Sequence, residues 1–95
     1  MLITPTFTKI EKLIELKKGT VVLESSDGFP IQETNLYMIA SNGSVLWKAE
    51  KPTINVLFTK VKLNEDSTIS TFTNNGQFAD LDMETGKIIS SSSFR

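Results

Sequence analysis

The sequence predicts an all-β, antiparallel fold of two successive four-stranded meanders, and three observations predict it. Turn dipeptides recur at short intervals: Lys18-Gly19, Asp27-Gly28, Asn42-Gly43, Asn75-Gly76 and Thr85-Gly86. That is the rhythm of β-hairpins, because Asn-Gly and Asp-Gly tolerate the positive φ of tight primed turns. Between the turns, β-branched and aromatic residues alternate with polar ones, as half-buried strands require. Finally, the two halves of the chain match at an offset of about 42 to 48 residues, the length of one four-stranded repeat.

The elements follow in order. Phe7 to Leu16 opens the first half, and here two readings compete. Thr8-Lys9-Ile10-Glu11 has the form of a helix capping box, Ile10, Leu13 and Ile14 fall at helical spacing, and Gly19 is placed to end a helix. The matching segment of the second half, Ile54 to Leu63, alternates Val56 and Phe58 in one phase with Leu57, Thr59, Val61 and Leu63 in the other. It is a strand, and repeat symmetry favours a strand for residues 8–18 as well. Next come Thr20 to Leu23, then Leu36 to Ala40, which turns at Asn42-Gly43 into Val45 to Lys48. Lys51-Pro52 links the halves. The second half continues with Thr68 to Phe72, a turn at Asn74-Asn75-Gly76, Phe78 to Asp82, a turn at Glu84 to Lys87, and Ile88 to Ser91. Aligned by their apolar residues, Thr20 to Leu23 corresponds to Thr68 to Thr71, Leu36 to Ile39 corresponds to Phe78 to Leu81, and Gly43, Val45 and Leu46 correspond to Gly86, Ile88 and Ile89. One domain, with repeats over about 6–50 and 53–94, is expected at this length.

Asn35 to Lys48 and Leu81 to Ile88 resemble the blade segments of quinoprotein-type (PQQ-like) β-propellers. The chain is also similar to small uncharacterised bacterial proteins built from two such segments. The resemblance implies blade-like meanders and is nearly silent on activity. Ser90 stands where the second repeat would carry the counterpart of Trp47, so the interblade tryptophan contact occurs once. Two blades also fall short of the four or more that close a ring, so no quinone site is implied.

Composition narrows the chemistry. The chain has 95 residues, a formal net charge of -1, and neither Cys nor His. Thiolate or imidazole metal sites, Ser-His-Asp and Cys-His nucleophile systems and redox dithiols are therefore unavailable, and no disulfide can form. Met1-Leu2-Ile3-Thr4-Pro5 lacks the basic start and apolar run of a secretory signal, and the longest apolar run, Leu36 to Ala40, is far below a membrane span. A cytoplasmic location and no membrane association are expected. The first fifty residues hold five Lys and six acids, and the rest hold four Lys, one Arg and five acids. With no basic face, nucleic acid is not an expected partner.

Asp80-Leu81-Asp82-Met83-Glu84 is the densest acidic cluster. As a calcium loop it fails, since Thr85 stands where Gly is needed and Ser91 where the bidentate Glu should be. As a carboxylate dyad, Asp80 and Asp82 lack any mark of a cleft. The simpler reading has Leu81 and Met83 facing the core and the acids facing water. No cofactor, metal or catalytic residue is assigned. Trp47, with Val45 in the same phase, is expected in the core. The segment Ser25 to Thr34 is longer than its counterpart Asn74-Asn75-Gly76, and extra length in one repeat marks a functional face. A binding surface is expected there, with Phe29 and Ile31 as apolar anchors and Asp27 and Glu33 as a polar rim. The function expected is a non-catalytic protein-interaction module that engages a protein partner or a second copy of itself. The alternative is a small-ligand-binding module, and an enzyme using carboxylates comes last.

Overall fold

A computed structural model describes residues 3–93, and those residues form eight strands and no helix. Strands β1 (Ile10–Glu15), β2 (Thr20–Glu24), β3 (Leu36–Ile39) and β4 (Val45–Lys48) make one antiparallel sheet in that order. Strands β5 (Phe58–Leu63), β6 (Thr68–Thr73), β7 (Gln77–Asp82) and β8 (Ile88–Ser93) make the second. The all-β double meander is thus the architecture. Met1 and Leu2 of the targeting reading, and Phe94 at the end of the second repeat, lie outside the described residues. The β3–β4 hairpin turns as its sequence requires: Gly43 has φ 89°, which a side chain would disfavour, and Asn42 Oδ1 accepts a hydrogen bond from Ser44 N at 3.0 Å.

Residues 8–18 do not form the capped helix. Thr8 instead donates its hydroxyl to Ser25 O at 2.7 Å, and the chain from Ile10 pairs with β2. Both opening strands start later than their alternation suggests. Phe7 and Thr8 lie in a segment preceding β1, and Ile54 and Asn55 lie in a turn where Asn55 has φ 63° and Ile54 is exposed.

The two sheets bury a shared core. Val21, Leu23, Leu36, Met38 and Trp47 from the first pack with Phe58, Val61, Ile69, Ala79 and Leu81 from the second. Fully buried side chains such as Phe58, Ile69 and Leu81 each contribute about 1.5–3 kcal/mol by leaving water. Thr71 is buried in the same layer because its hydroxyl donates to Ala79 O at 2.8 Å. Buried Asn35 then stitches the sheets together. Its Nδ2 donates to Glu24 O (2.8 Å) and Phe58 O (2.7 Å), while its Oδ1 accepts from Phe58 N (2.8 Å).

The ladders correct two details of the repeat. Val21 pairs with Met38 and Leu23 with Leu36, whereas Ile69 pairs with Leu81 and Thr71 with Ala79. Leu36 is therefore equivalent to Ala79 and Met38 to Leu81, one residue away from the alignment that matched apolar residues. A one-residue slip exchanges the faces of a strand, so the correction matters. With it, equivalent faces of the two sheets look at each other across the core. The second correction concerns β4. Ile39 pairs with Val45 and Met38 with Trp47, so Leu46 is an extra, bulged residue. The bulge puts Val45 and Trp47 on opposite faces: Trp47 is buried, and Val45 is 51% exposed.

Candidate functional site: the outer face of the first sheet

The face of the first sheet that points away from the core is also apolar. Val22, Tyr37 and Ile39 form a second buried cluster, with Ile3 and Ile10 packed against it. At equivalent ladder positions the two sheets differ sharply. Leu13, Val22, Tyr37 and Ile39 stand in the first where Lys62, Ser70, Asp80 and Asp82 stand in the second. The outer face of the second sheet carries a polar network instead. Ser70 Oγ donates to Asp80 Oδ1 at 2.8 Å, and Asn64 Nδ2 donates to Ser70 Oγ at 2.8 Å. Among the described residues no group of three or more Asp or Glu side chains is placed to hold a metal ion.

Part of the first sheet's outer face is covered by the segment preceding β1, which one buried carboxylate pins down. Glu24 ends β2 in the outward phase and is fully buried. Its Oε2 accepts from Thr6 N and Thr6 Oγ1, both at 2.8 Å, and from the Tyr37 hydroxyl. Its Oε1 accepts from Phe7 N at 3.0 Å and Thr8 N at 3.1 Å. Burial by itself raises the Glu24 pKa, but the bonds from Thr6 N, Tyr37, Phe7 N and Thr8 N together outweigh it and hold the group at about 2. Burial first, then the facing Glu24 carboxylate, push the Tyr37 phenol well above its usual range. Both shifts run away from neutrality. Glu24 stays ionised and Tyr37 stays protonated, so the pair is a clasp and is unfit for proton transfer near neutral pH.

Beside the clasped segment an open groove runs towards β4. One half, of about 250 Å³, is lined by Thr6, Phe7, Glu33, Thr34, Tyr37, Val45 and Lys48. The other, of about 290 Å³, shares Thr6, Tyr37 and Val45 and extends to Ile3, Ile39 and Gly43. Thr34 Oγ1 is the one buried side-chain polar atom among the described residues without a hydrogen-bond partner, and Thr34 lies in this lining.

The four residues singled out in the Asp27 to Thr34 loop are not brought together. Glu33 is exposed and borders the groove, and Asp27 is exposed elsewhere on the loop. Ile31 is half-buried, with its carbonyl held at 2.8 Å by Lys51 Nζ, which also donates to Glu33 O at 3.0 Å. Burial lowers the Lys51 pKa, and Glu33 pulls it back up. Phe29 is not a surface anchor. Only 6% exposed, it packs edge-on against Phe7 with ring centroids 5.2 Å apart. Phe29→Ala is accordingly expected to destabilise the fold by about 2–3 kcal/mol in urea denaturation, in place of the unchanged melting temperature an exposed anchor would give.

Sequence reasoning missed Glu24 and the Ile3 to Thr8 segment. A signal was there: Val22 and Ile39 are apolar in the phase that a one-sided sheet leaves to water.

The match to known families covers nearly the same span as the two sheets. Residues 6–93 fit the model of a family described as a domain of unknown function, DUF7957. The chain belongs to that family. No curated protein matches the chain. The DUF7957 span begins at Thr6, so it takes in the Thr6, Phe7 and Thr8 groups that Glu24 clasps as well as all eight strands.

Proposed function

We propose that this DUF7957 chain is a non-catalytic protein-interaction module of the cytoplasm, and that its partner docks on the outer face of the first sheet. The groove between the clasped segment and β4 would take an apolar side chain of the partner. The contrast between equivalent positions carries this reading. One scaffold built twice has a water-compatible outer face in the second sheet, whereas the same positions in the first are apolar: Val22, Tyr37 and Ile39 are buried and Leu13 stays 43% exposed. Exposed Val45 and Leu46 extend that apolar surface past the covering segment. Lys48 and Glu33 supply a charged rim, and Thr34 Oγ1 offers an unused hydrogen bond inside it. The loop expected to bind thus enters through Glu33 and Thr34, while Asp27 and Ile31 lie outside the groove lining. The two halves form one groove that is open to solvent, and an open groove suits a side chain presented on a protein surface better than the near-complete burial a small ligand needs. The blade-like meander serves here as scaffold alone. A ring stacks opposite faces of successive blades, whereas here equivalent faces meet in a sandwich.

Val45→Lys places a charge on the groove floor at a half-exposed edge position. Capture experiments should compare it with wild type and with Lys62→Ala on the opposite outer face. A protein retained by wild type and by Lys62→Ala is expected to fall roughly tenfold with Val45→Lys, while the melting temperature barely changes. Retention of every bound protein by a folded Val45→Lys variant overturns the assignment.

A further inference from the structure

Each sheet has two free edges, and every edge strand carries one bulge: at Glu11 in β1, Leu46 in β4, Thr59 in β5 and Ile89 in β8. Bulges and charged side chains are the usual means of keeping an edge from pairing with another chain. Three edges have both. Beyond its bulge β1 carries Lys12 and Glu15, β4 carries Lys48, and β5 carries Lys60 and Lys62. The fourth edge differs. Strand β8 reads Ile-Ile-Ser-Ser-Ser-Ser, without a charge or a proline. After Ile89 its ladder to β7 is regular: Ser90 opposite Asp80, Ser91 opposite Ala79, Ser92 opposite Phe78 and Ser93 opposite Gln77. Ser90, Ser91 and Ser92 are exposed, and Ile89 beside them is 59% exposed.

We propose that β8 is a self-pairing edge, joining the second sheets of two copies into one continuous eight-stranded antiparallel sheet. A second copy is the partner that this edge fits, for two reasons. Any strand can pair with itself about a two-fold axis, and such pairing sets serine against serine, with no bulky side chain or like charge to oppose it. An edge built to recruit a different chain would carry side chains that discriminate, and small neutral serines do not. The symmetry has a consequence. The two-fold relating antiparallel neighbours runs normal to the sheet, so both copies present the same face to the same side. Both grooves on the first sheets then open on one side of the dimer, and, resting on the proposed function, a partner with two sites would be held bivalently.

The absence of cysteine from the chain makes the test clean. In sedimentation equilibrium the wild type is expected to show a concentration-dependent monomer–dimer equilibrium up to ~1 mM, the weak range appropriate to a small interface. Ser92→Lys should weaken that dimer roughly tenfold or more, because it brings two like charges close together about the axis. Among Ser90→Cys, Ser91→Cys and Ser92→Cys, the variant nearest the axis should form a disulfide dimer under mild oxidation, since opposed strand residues lie within bridging distance. Ile54→Cys, exposed on the connection between the sheets, reports random collision and should not. A wild type that stays monomeric overturns the proposal. So does a dimer indifferent to Ser92→Lys whose β8 cysteines crosslink no faster than Ile54→Cys. None of these readouts involves the groove's partner, so failure here leaves the proposed function standing.

Discussion

Trp47→Ala is expected to lower stability by about 4 kcal/mol, enough to unfold a large fraction of a domain of this size on mild heating. The effect has three sources. The indole is buried among residues of both sheets, so its removal opens a cavity in the layer that joins them. Its Nε1 donates to Met83 O at 2.9 Å, which would lose its donor. Its ring also seats the β7–β8 turn. A Cβ on Gly86 would stand 2.4 Å from Trp47 Cε3, and Gly86 has φ 72°, so this glycine is required both by its backbone and by its neighbour. The turn is then tied back to the connection between the sheets: Glu50 N donates to Gly86 O at 2.9 Å, and Ile88 N donates to Glu50 Oε1 at 2.8 Å. Gly86→Ala should therefore cost about 2–3 kcal/mol although it adds a single methyl group. Because Trp47 is the sole tryptophan, Trp47→Ala is followed by far-UV circular dichroism and Gly86→Ala by indole fluorescence. An unchanged denaturation midpoint for Gly86→Ala would mean that the turn is not seated on the ring.

The same tryptophan shows where the sequence was readable. The hairpins were legible because they are local: Asn42-Gly43 states its own turn, and the strands on either side need nothing else to be placed. The faces were harder. Alternation assigns Val45 and Trp47 to one side, and only the ladder reveals the Leu46 bulge that separates them. Likewise, matching apolar residues pairs Leu36 with Phe78, whereas hydrogen bonding makes Leu36 equivalent to Ala79. A bulge is a property of two strands together, and no single strand announces it. The candidate site fared similarly. The longer loop was visible in its length, but Phe29 turned inward because Phe7 arrives from the distant N-terminal segment to cover it. The Glu24 clasp was beyond local reading, because all its donors come from other elements.

That clasp should make the protein acid-sensitive in a specific window. The ordinary value for a glutamate here is 4.5, and in the folded chain Glu24 is held at about 2. A carboxyl whose folded pKa lies below its unfolded value binds fewer protons folded than unfolded between the two. Its stabilisation is therefore fully present above about pH 5 and is lost progressively as pH falls through about 2. The gap corresponds to about 3 kcal/mol, and the group is buried, so solvent does not screen it away. Other carboxylates titrate in the same range, so the diagnostic quantity is a difference between proteins. Glu24→Gln is expected to be less stable at neutral pH by about 3 kcal/mol, since an amide has one acceptor oxygen to offer where Thr6, Phe7, Thr8 and Tyr37 supply five donors. The difference should shrink as the wild type is acidified towards about pH 2, because protonation then removes in the wild type what the substitution already removed. Urea midpoints measured across this range would show the two curves converging. Parallel curves would mean that the Glu24 carboxylate has the same affinity for protons folded and unfolded, and that the segment preceding β1 is held by its other contacts, the Thr8–Ser25 hydrogen bond and the Phe7–Phe29 ring packing among them.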